Sequence, residues 1–413
     1  MDRLAGSSFL AAFVQFCDLA AINVLQCCTR AWRDCSEPLF RVLWQRDFQM
    51  LDGSSESKSS DATWKQRYYA QWLTDRQLST GACWRATFNF DPQHSEYTAL
   101  HVFRDRFALG TTTGCVQLWQ FADQPRRLRE LRASADDAKP GNNAIWTLQL
   151  RVDDIIVGHR DGALRQWSTH SGELLREFFG HSSTVVELDA NGDRLVSAAS
   201  STLLVWSMHK PEAPELEIDC SKYGNIAEFD VDAERQLLAA VVLATGSVVL
   251  LSLADGSILR HFDAVEDASC VCFSPFSHDH LIYGGVNSID GGFHAALFAL
   301  PIAGGDPHSS GRLVCAGADL HEVRRLVACR NHLFVEYSDK LCMVRAPANF
   351  SSAGGDSKLL SVRLAIDDVP GACLSNDGNA LSFFDPGSNR AVLCTSERAN
   401  DCTFMLCDFA RSK

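Results

Sequence analysis

The sequence has no apolar run of the roughly 18 residues that a membrane-crossing helix needs, so no membrane partner is expected. Residues 9–16, following Arg3, imitate the apolar stretch of a leader peptide, but Asp18 interrupts them and an amphipathic helical pattern continues beyond. Positive charge is also in deficit. There are 38 Lys and Arg against 51 Asp and Glu, a net charge of −13, which counts against general affinity for nucleic acid. Sixteen cysteines are present, but they lack the spacing that would give them a joint task. No C-x-x-C pair has a second pair at zinc distance, and Cys115, Cys270, Cys272, Cys315, Cys342 and Cys407 lie in apolar runs, where a thiol behaves as a small hydrophobe. They read as free thiols in a reducing compartment: the cytoplasm, with the nucleus as the alternative.

Catalytic signatures are missing as well. There is no P-loop, nucleophile elbow or dinucleotide fingerprint. Asp153 with Asp154, and Asp367 with Asp368, are neighbours in sequence; on a strand such neighbours point to opposite faces and make no acid–base pair. His278 and His280 have no third ligand nearby. The expectation is a protein without catalytic residues, metal or cofactor.

What is present falls into two parts. Over residues 8–48 apolar residues recur at helical spacing: Phe9, Phe13 and Phe16, then Ile22, Leu25 and Cys28, then Trp32. A polar linker follows over residues 52–61. Residues 63–78 then predict one more helix, with Trp64, Tyr68 and Trp72 on one face. From about residue 84, short apolar runs alternate with Gly, Asp, Asn and Ser turns, the pattern of an all-β domain. Seven of these runs align, ending on Trp119, Trp167, Trp206, Leu251, Phe298, Val344 and Phe384, at intervals of 48, 39, 45, 47, 46 and 40 residues. Each has another apolar run before and after it. Four strands in each period of about 40–50 residues is the mark of a β-propeller, and seven copies predict seven blades, each with its aligned run as the third strand. An open ring would leave unpaired edges, so residues 84–90 or 403–409 should supply a closing strand.

Gly158, Asp161, Gly162 and Trp167 in the second unit, and Gly180, His181, Ser197 and Trp206 in the third, resemble the signature of WD-repeat propellers. That family links His, Ser or Thr, Asp and Trp into a hydrogen-bonded chain within a blade. Here the set is never complete, and blades four to six keep almost nothing of it. Residues 13–19, ending in Asp18 and Leu19, residues 25–32 with Arg30 and Trp32, and residues 38–48 with Pro38, Arg46, Asp47 and Phe48 resemble the F-box, the helical motif that docks on the small adaptor of cullin-based ubiquitin ligases. Phe40 stands where the family has tryptophan, and Ala5 and Gly6 where it begins Leu-Pro.

The resemblance implies an F-box-like module over 8–48, a linker and connecting helix over 49–79, and a seven-bladed WD-type propeller over 80–413. It implies a substrate-recognition subunit whose partners are the cullin adaptor, a cullin scaffold through it, and a target protein of unknown identity. Phe9, Phe13, Leu19, Ile22, Leu25 and Trp32 would form the bundle or the adaptor contact. The alternative is a propeller scaffold with no ubiquitin role.

Target recognition in such rings uses the loops at one end of the channel, which singles out Arg160, Asn143, Thr184 and Asn225. Residues 201–413 carry 16 basic and 27 acidic side chains, so that half is strongly negative. An acidic or phosphorylated peptide would therefore be drawn to Arg160, with help from His159. The competing expectation is that the acidic half recruits a basic partner.

Overall fold

The computed structural model describes residues 40, 41, 43, 63–80, 83–89, 97–132, 143–243, 245–263, 267–289, 292–304, 311–316, 323–329, 332–337, 341–345, 361, 362, 382–385, 389–394 and 403–411. The chain separates into two compact units, Met1–Thr80 and Gly81–Lys413.

In the first unit, helix α1 (Trp64–Thr80) begins at a capping box. The Thr63 hydroxyl accepts the Gln66 N–H at 3.3 Å, and the Gln66 side-chain oxygen accepts the Thr63 N–H at 2.9 Å, which satisfies two otherwise orphaned donors. Of the three aromatics expected on one face, Tyr68 is buried, whereas Trp64 and Trp72 are half-buried. Arg67 and Arg76 lie over the Trp64 and Trp72 rings. Phe40 and Leu43 are fully buried, and the Phe40 ring meets Tyr68 at 5.5 Å and Tyr69 at 5.6 Å. Phe9, Phe13, Leu19, Ile22, Leu25 and Trp32 lie outside the described residues.

The second unit holds seven four-stranded antiparallel sheets among its described residues. Strand β1 (Trp84–Asn89) comes first in the chain. Blade 1 is β2 (Tyr97–Phe103), β3 (Arg106–Thr111), β4 (Cys115–Gln120) and β5 (Arg126–Arg132). Blade 2 is β6 (Ile145–Leu150), β7 (Asp154–His159), β8 (Leu164–Ser168) and β9 (Leu174–Phe178). Blade 3 is β10 (Val185–Asn191), β11 (Arg194–Ala199), β12 (Thr202–Ser207) and β13 (Leu216–Asp219). Blade 4 is β14 (Ile226–Asp232), β15 (Leu237–Val242), β16 (Ser247–Ser252) and β17 (Ile258–Phe262). Blade 5 is β18 (Cys270–Phe273), β19 (His280–Ile289), β20 (Gly292–Pro301) and β21 (Arg312–Ala316). Blade 6 is β22 (Val323–Cys329), β23 (His332–Tyr337), β24 (Leu341–Arg345) and β25 (Ser361–Val362). Blade 7 runs β26 (Ser382–Asp385), β27 (Arg390–Cys394), β28 (Thr403–Asp408) and then β1, which forms its outer strand. No helix interrupts the described residues between 97 and 411.

Six of the seven aligned runs are third strands, as expected. The seventh is not: residues 382–384 lie in β26, the inner strand of blade 7, and the third strand is β28. Inner and third strands are both short apolar runs, so the pattern cannot tell them apart. The ring closes where β1 pairs with β28 along Trp84 to Asp408 and Asn89 to Thr403. Both candidate closing segments therefore meet in one blade.

Burial explains the strand sequences. In β10, Val185, Leu188 and Ala190 are buried while Glu187 and Asp189 are only half-buried. β15, and β16 between its terminal serines, are apolar throughout because neighbouring blades cover both their faces. The core therefore lies between blades. Leu203, Val205 and Ile218 of blade 3 pack with Phe229, Leu238 and Val249 of blade 4, each contributing about 1.5–3 kcal/mol by leaving water.

Polar contacts add direction to this packing. Asp385 accepts the Arg104 N–H at 2.7 Å, Gln149 accepts the Ala190 N–H at 2.6 Å, and Asp230 accepts the Phe273 N–H at 2.7 Å. Each links one inner strand to the following blade. A second series runs through arginines near the β-turns joining first and second strands. Arg390 donates to the Arg104 carbonyl, Arg106 to that of Val152, Arg151 to that of Gly192, Arg194 to the Gln236 side chain, and Arg235 to the His278 carbonyl. This series steps from blade 7 through blade 1 to blade 5.

Candidate functional site

Turns between second and third strands lie beside the starts of the next blade's inner strand. Arg160 and Gly162 occupy such a turn in blade 2. The Arg160 N–H donates to the Ala144 carbonyl at 2.8 Å, and its carbonyl accepts the Thr184 hydroxyl at 3.2 Å. Gly162 has φ +89°, and a Cβ there would stand 2.5 Å from the His181 carbonyl oxygen. One blade on, the Ser200 hydroxyl donates to the Asn225 side chain at 3.0 Å. Arg160, Thr184 and Asn225 thus lie on one rim, across the blade 2–3 and 3–4 junctions. Asn143 is buried and contributes its carbonyl inward.

The expected help from His159 does not hold. His159 is wholly buried, its Nδ1 sits 2.9 Å from the Asn143 carbonyl, and burial lowers its pKa to about 4. A neutral buried imidazole cannot assist an anion at the rim. The Arg160 side chain is exposed.

The charged residues that do converge lie deeper. The inner strands of blades 1, 2, 3, 4 and 6 share a bulge one residue after their start, between Tyr97 and Ala99, Ile145 and Thr147, Val185 and Glu187, Ile226 and Glu228, and Val323 and Arg325. An extra residue re-aims the side chains that follow it. Ala99, Thr147, Glu187, Glu228 and Arg325 therefore occupy one equivalent layer. Their cross-strand neighbours are Gly110, Gly158, Ala198, Val241 and Glu336. One layer further along stand His101, Gln149, Asp189 and Asp230.

Equivalent positions on the inner strands of a closed ring set these groups in layers around its axis, where their charges act across blades. Burial raises Glu187 to about 7, against the opposing effect of Arg325 of blade 6. Burial and then the Glu187 charge push Glu228 well above the carboxylate range. Glu336 rises to about 7 for the same first reason, with Arg325 and Arg324 opposing. Asp230 rises to about 7 through burial although it accepts the Phe273 N–H. Burial, then Arg325, lowers His101 to about 3. The channel is thus lined by carboxyl groups that would gain from a cation. No cluster of three His, Cys, Asp or Glu residues suited to a metal occurs among the described residues.

Sequence reasoning aligned third strands and so missed Glu187, Glu228, Arg325 and Glu336. The available signal was a charge recurring two residues after the first apolar residue of the inner strands, in residues 185–187, 226–228 and 323–325.

No family model matches the sequence. A 53-residue stretch, 12% of this chain, is 45% identical to autophagy-related protein 16 of Arabidopsis thaliana, and it corresponds to only 10% of that protein's length. Among solved structures the chain is similar to U3-55K, with TM-score 0.57, 12% identity, and 78% of this chain and 98% of that one covered. A chain of the mitotic checkpoint complex gives TM-score 0.57 at 13% identity, covering 87% and 98%. The WD40 repeats of RRP9 give TM-score 0.56 at 12% identity, covering 78% and 97%. These likenesses show the fold: the second unit is a WD40-type propeller.

Proposed function

We propose that this chain is a protein-binding propeller acting as the substrate-recognition subunit of a cullin-based ubiquitin ligase. The supporting observation is the order of its units: a first unit whose sequence resembles the F-box, then a closed ring with acidic groups set inside its channel. Residues 8–48 would dock on the adaptor, and the ring would hold a target protein so that a separately bound conjugating enzyme reaches one of its lysines. The chain would contribute effective concentration rather than chemistry.

A second reading, a scaffold with no ubiquitin role, draws support from Phe40. Its ring is fully buried against Tyr68 and Tyr69, an intramolecular use of a residue within the F-box-like stretch. Capture of the cullin adaptor by the full chain separates the two. The receptor reading expects capture that disappears on deleting residues 1–48, and on Leu25→Ala with Trp32→Ala. Truncating a large buried side chain costs about 2–5 kcal/mol, enough to unfold so small a bundle. Capture that survives both changes, or no capture by the intact chain, leaves the scaffold.

A further inference from the structure

We propose that the channel, below its rim, binds the ammonium group of a lysine side chain presented by the partner protein, held among the carboxyl groups of Glu187, Glu228 and Glu336. The proposal rests on the reading that the ring is where a target protein binds, and it names what that target must offer.

The site is built from three blades. Glu187 and Glu228 occupy equivalent positions of the inner strands of blades 3 and 4, delivered there by the same bulge. Glu336 stands opposite Arg325 in register, so both side chains leave blade 6 on one face, and the Glu336 charge reaches Glu228 across the ring. At the position of Glu336 the other bulged blades carry Gly110, Gly158, Ala198 and Val241. A carboxylate there is a departure from the blade's own pattern.

Glu336 supplies the second observation. It is only 8% exposed, and its Oε1 has no hydrogen-bond partner among the described residues. A buried acceptor left unsatisfied is destabilising, and a donor arriving from outside would remove that cost. The donor must be a cation, because Glu187 and Glu228 stand in the same layer and a nearby positive charge favours the ionised form of all three acids.

The geometry favours ammonium over the alternatives. A guanidinium prefers one coplanar carboxylate that it can bind with two parallel bonds. An ammonium group has three donors pointing apart, which suits acceptors arriving from three blades. The rim residues Thr184 and Asn225 stand three residues before Glu187 and Glu228, roughly 10 Å along a strand, so a long, unbranched side chain is needed to reach down. Arg325 already holds one positive charge in the layer, which disfavours a divalent ion.

The test is titration calorimetry on the full chain with three probes: the peptide acetyl-Gly-Gly-Lys-Gly-Gly-amide, the same peptide acetylated on its lysine, and n-butylamine. The proposal expects the lysine peptide to bind at least tenfold more tightly than its acetylated form. It also expects at least tenfold loss in each of Glu187→Gln and Glu228→Gln, with a melting temperature that is unchanged or higher. Both substitutions keep shape and remove repulsion, so misfolding would not explain the loss. Arg325→Gln should tighten binding. Equal binding of both peptides, or binding indifferent to both glutamate changes, overturns the proposal. Butylamine binding as tightly as the peptide overturns the protein source and leaves a free amine as ligand. A phosphoserine peptide that binds through Arg160 while the lysine peptide does not also overturns it. Adaptor capture, measured alongside, keeps the two readings apart: capture without lysine binding removes the site alone, and lysine binding without capture removes the ligase role alone.

Discussion

His181, Ser197 and Trp206 show how much a single hydroxyl can organise. The Trp206 indole N–H donates to the Ser197 hydroxyl oxygen at 2.9 Å, and His181 Nε2 lies 2.8 Å from the same oxygen. Burial lowers His181 to about 4, so the ring is neutral and can accept a hydrogen bond from the hydroxyl. Ser197→Ala would strip partners from two nitrogen atoms at once. We expect a loss of about 1–3 kcal/mol, measured by urea unfolding, whereas Ser197→Thr should retain most of the stability. The titrating groups of the channel make a second prediction. Glu187, Asp189, Glu228, Asp230 and Glu336 have folded values raised above those of the unfolded chain. The folded protein therefore holds protons that the unfolded chain releases, and stability falls as pH rises through about 7. Arg325 opposes the rise at Glu187, Glu228 and Glu336, Arg324 at Glu336 and Arg151 at Asp189, without reversing it. His101, His159 and His181 are depressed to about 3, 4 and 4 from 6.5; they do the opposite between about pH 4 and 6.5 and are silent above it. The melting temperature should therefore fall from pH 6.5 to pH 8, and Glu228→Gln should flatten that decline. A melting temperature that climbs over this interval would contradict the arrangement of the channel.

At the scale of strands and turns, the blade repeats one device with different residues. The turn between second and third strands presses against the chain entering the next blade, and Gly162 shows why it has no side chain. Gly162→Ala combines a left-handed backbone with a methyl group 2.5 Å from the His181 carbonyl oxygen. We expect it to cost about 1–3 kcal/mol in thermal or urea unfolding. Gly192 offers the control, since its φ is +59° but no atom lies within 4 Å of the added carbon. Gly192→Ala should cost about 1 kcal/mol from backbone strain alone. Such turns are legible in sequence, as are the third strands that end on Trp119, Trp167 and Trp206, because a large aromatic at a fixed interval survives even where the rest of the repeat has decayed. The seventh blade was misread because the run ending at Phe384 has the same length and apolarity as a third strand. Only its pairing with β27 alone, at the channel edge of the sheet, tells it from one. The channel carboxylates were hidden for a different reason. Each is a single charge in an otherwise ordinary strand, and they become a group only when blades 3, 4 and 6 face one another around an axis that no single segment contains.

For the whole ring, stability depends on one joint. β1 reaches the last blade and pairs with β28 from Trp84 to Asn89; Phe88 stacks on Phe404 at 5.9 Å, and Phe404 is fully buried. Cys407 lies in the same joint. A hydrogen bond with Cys83, then burial, holds its thiol well above the usual range. Phe404→Ala should cost about 3–5 kcal/mol and speed the alkylation of Cys407 in the native protein, whereas a joint that does not open would leave that thiol inert. The joint also has a consequence in time. β1 is the first of the described strands to emerge during synthesis, yet its partner at residues 403–408 follows every other described strand of the ring. Until that strand is made β1 carries unpaired backbone groups beside an apolar edge, and the nascent chain holds a row of finished blades that cannot become a ring. A ribosome that stops before residue 403 releases a row of blades and no closure, so residues 403–408 decide whether the cell has made a propeller at all.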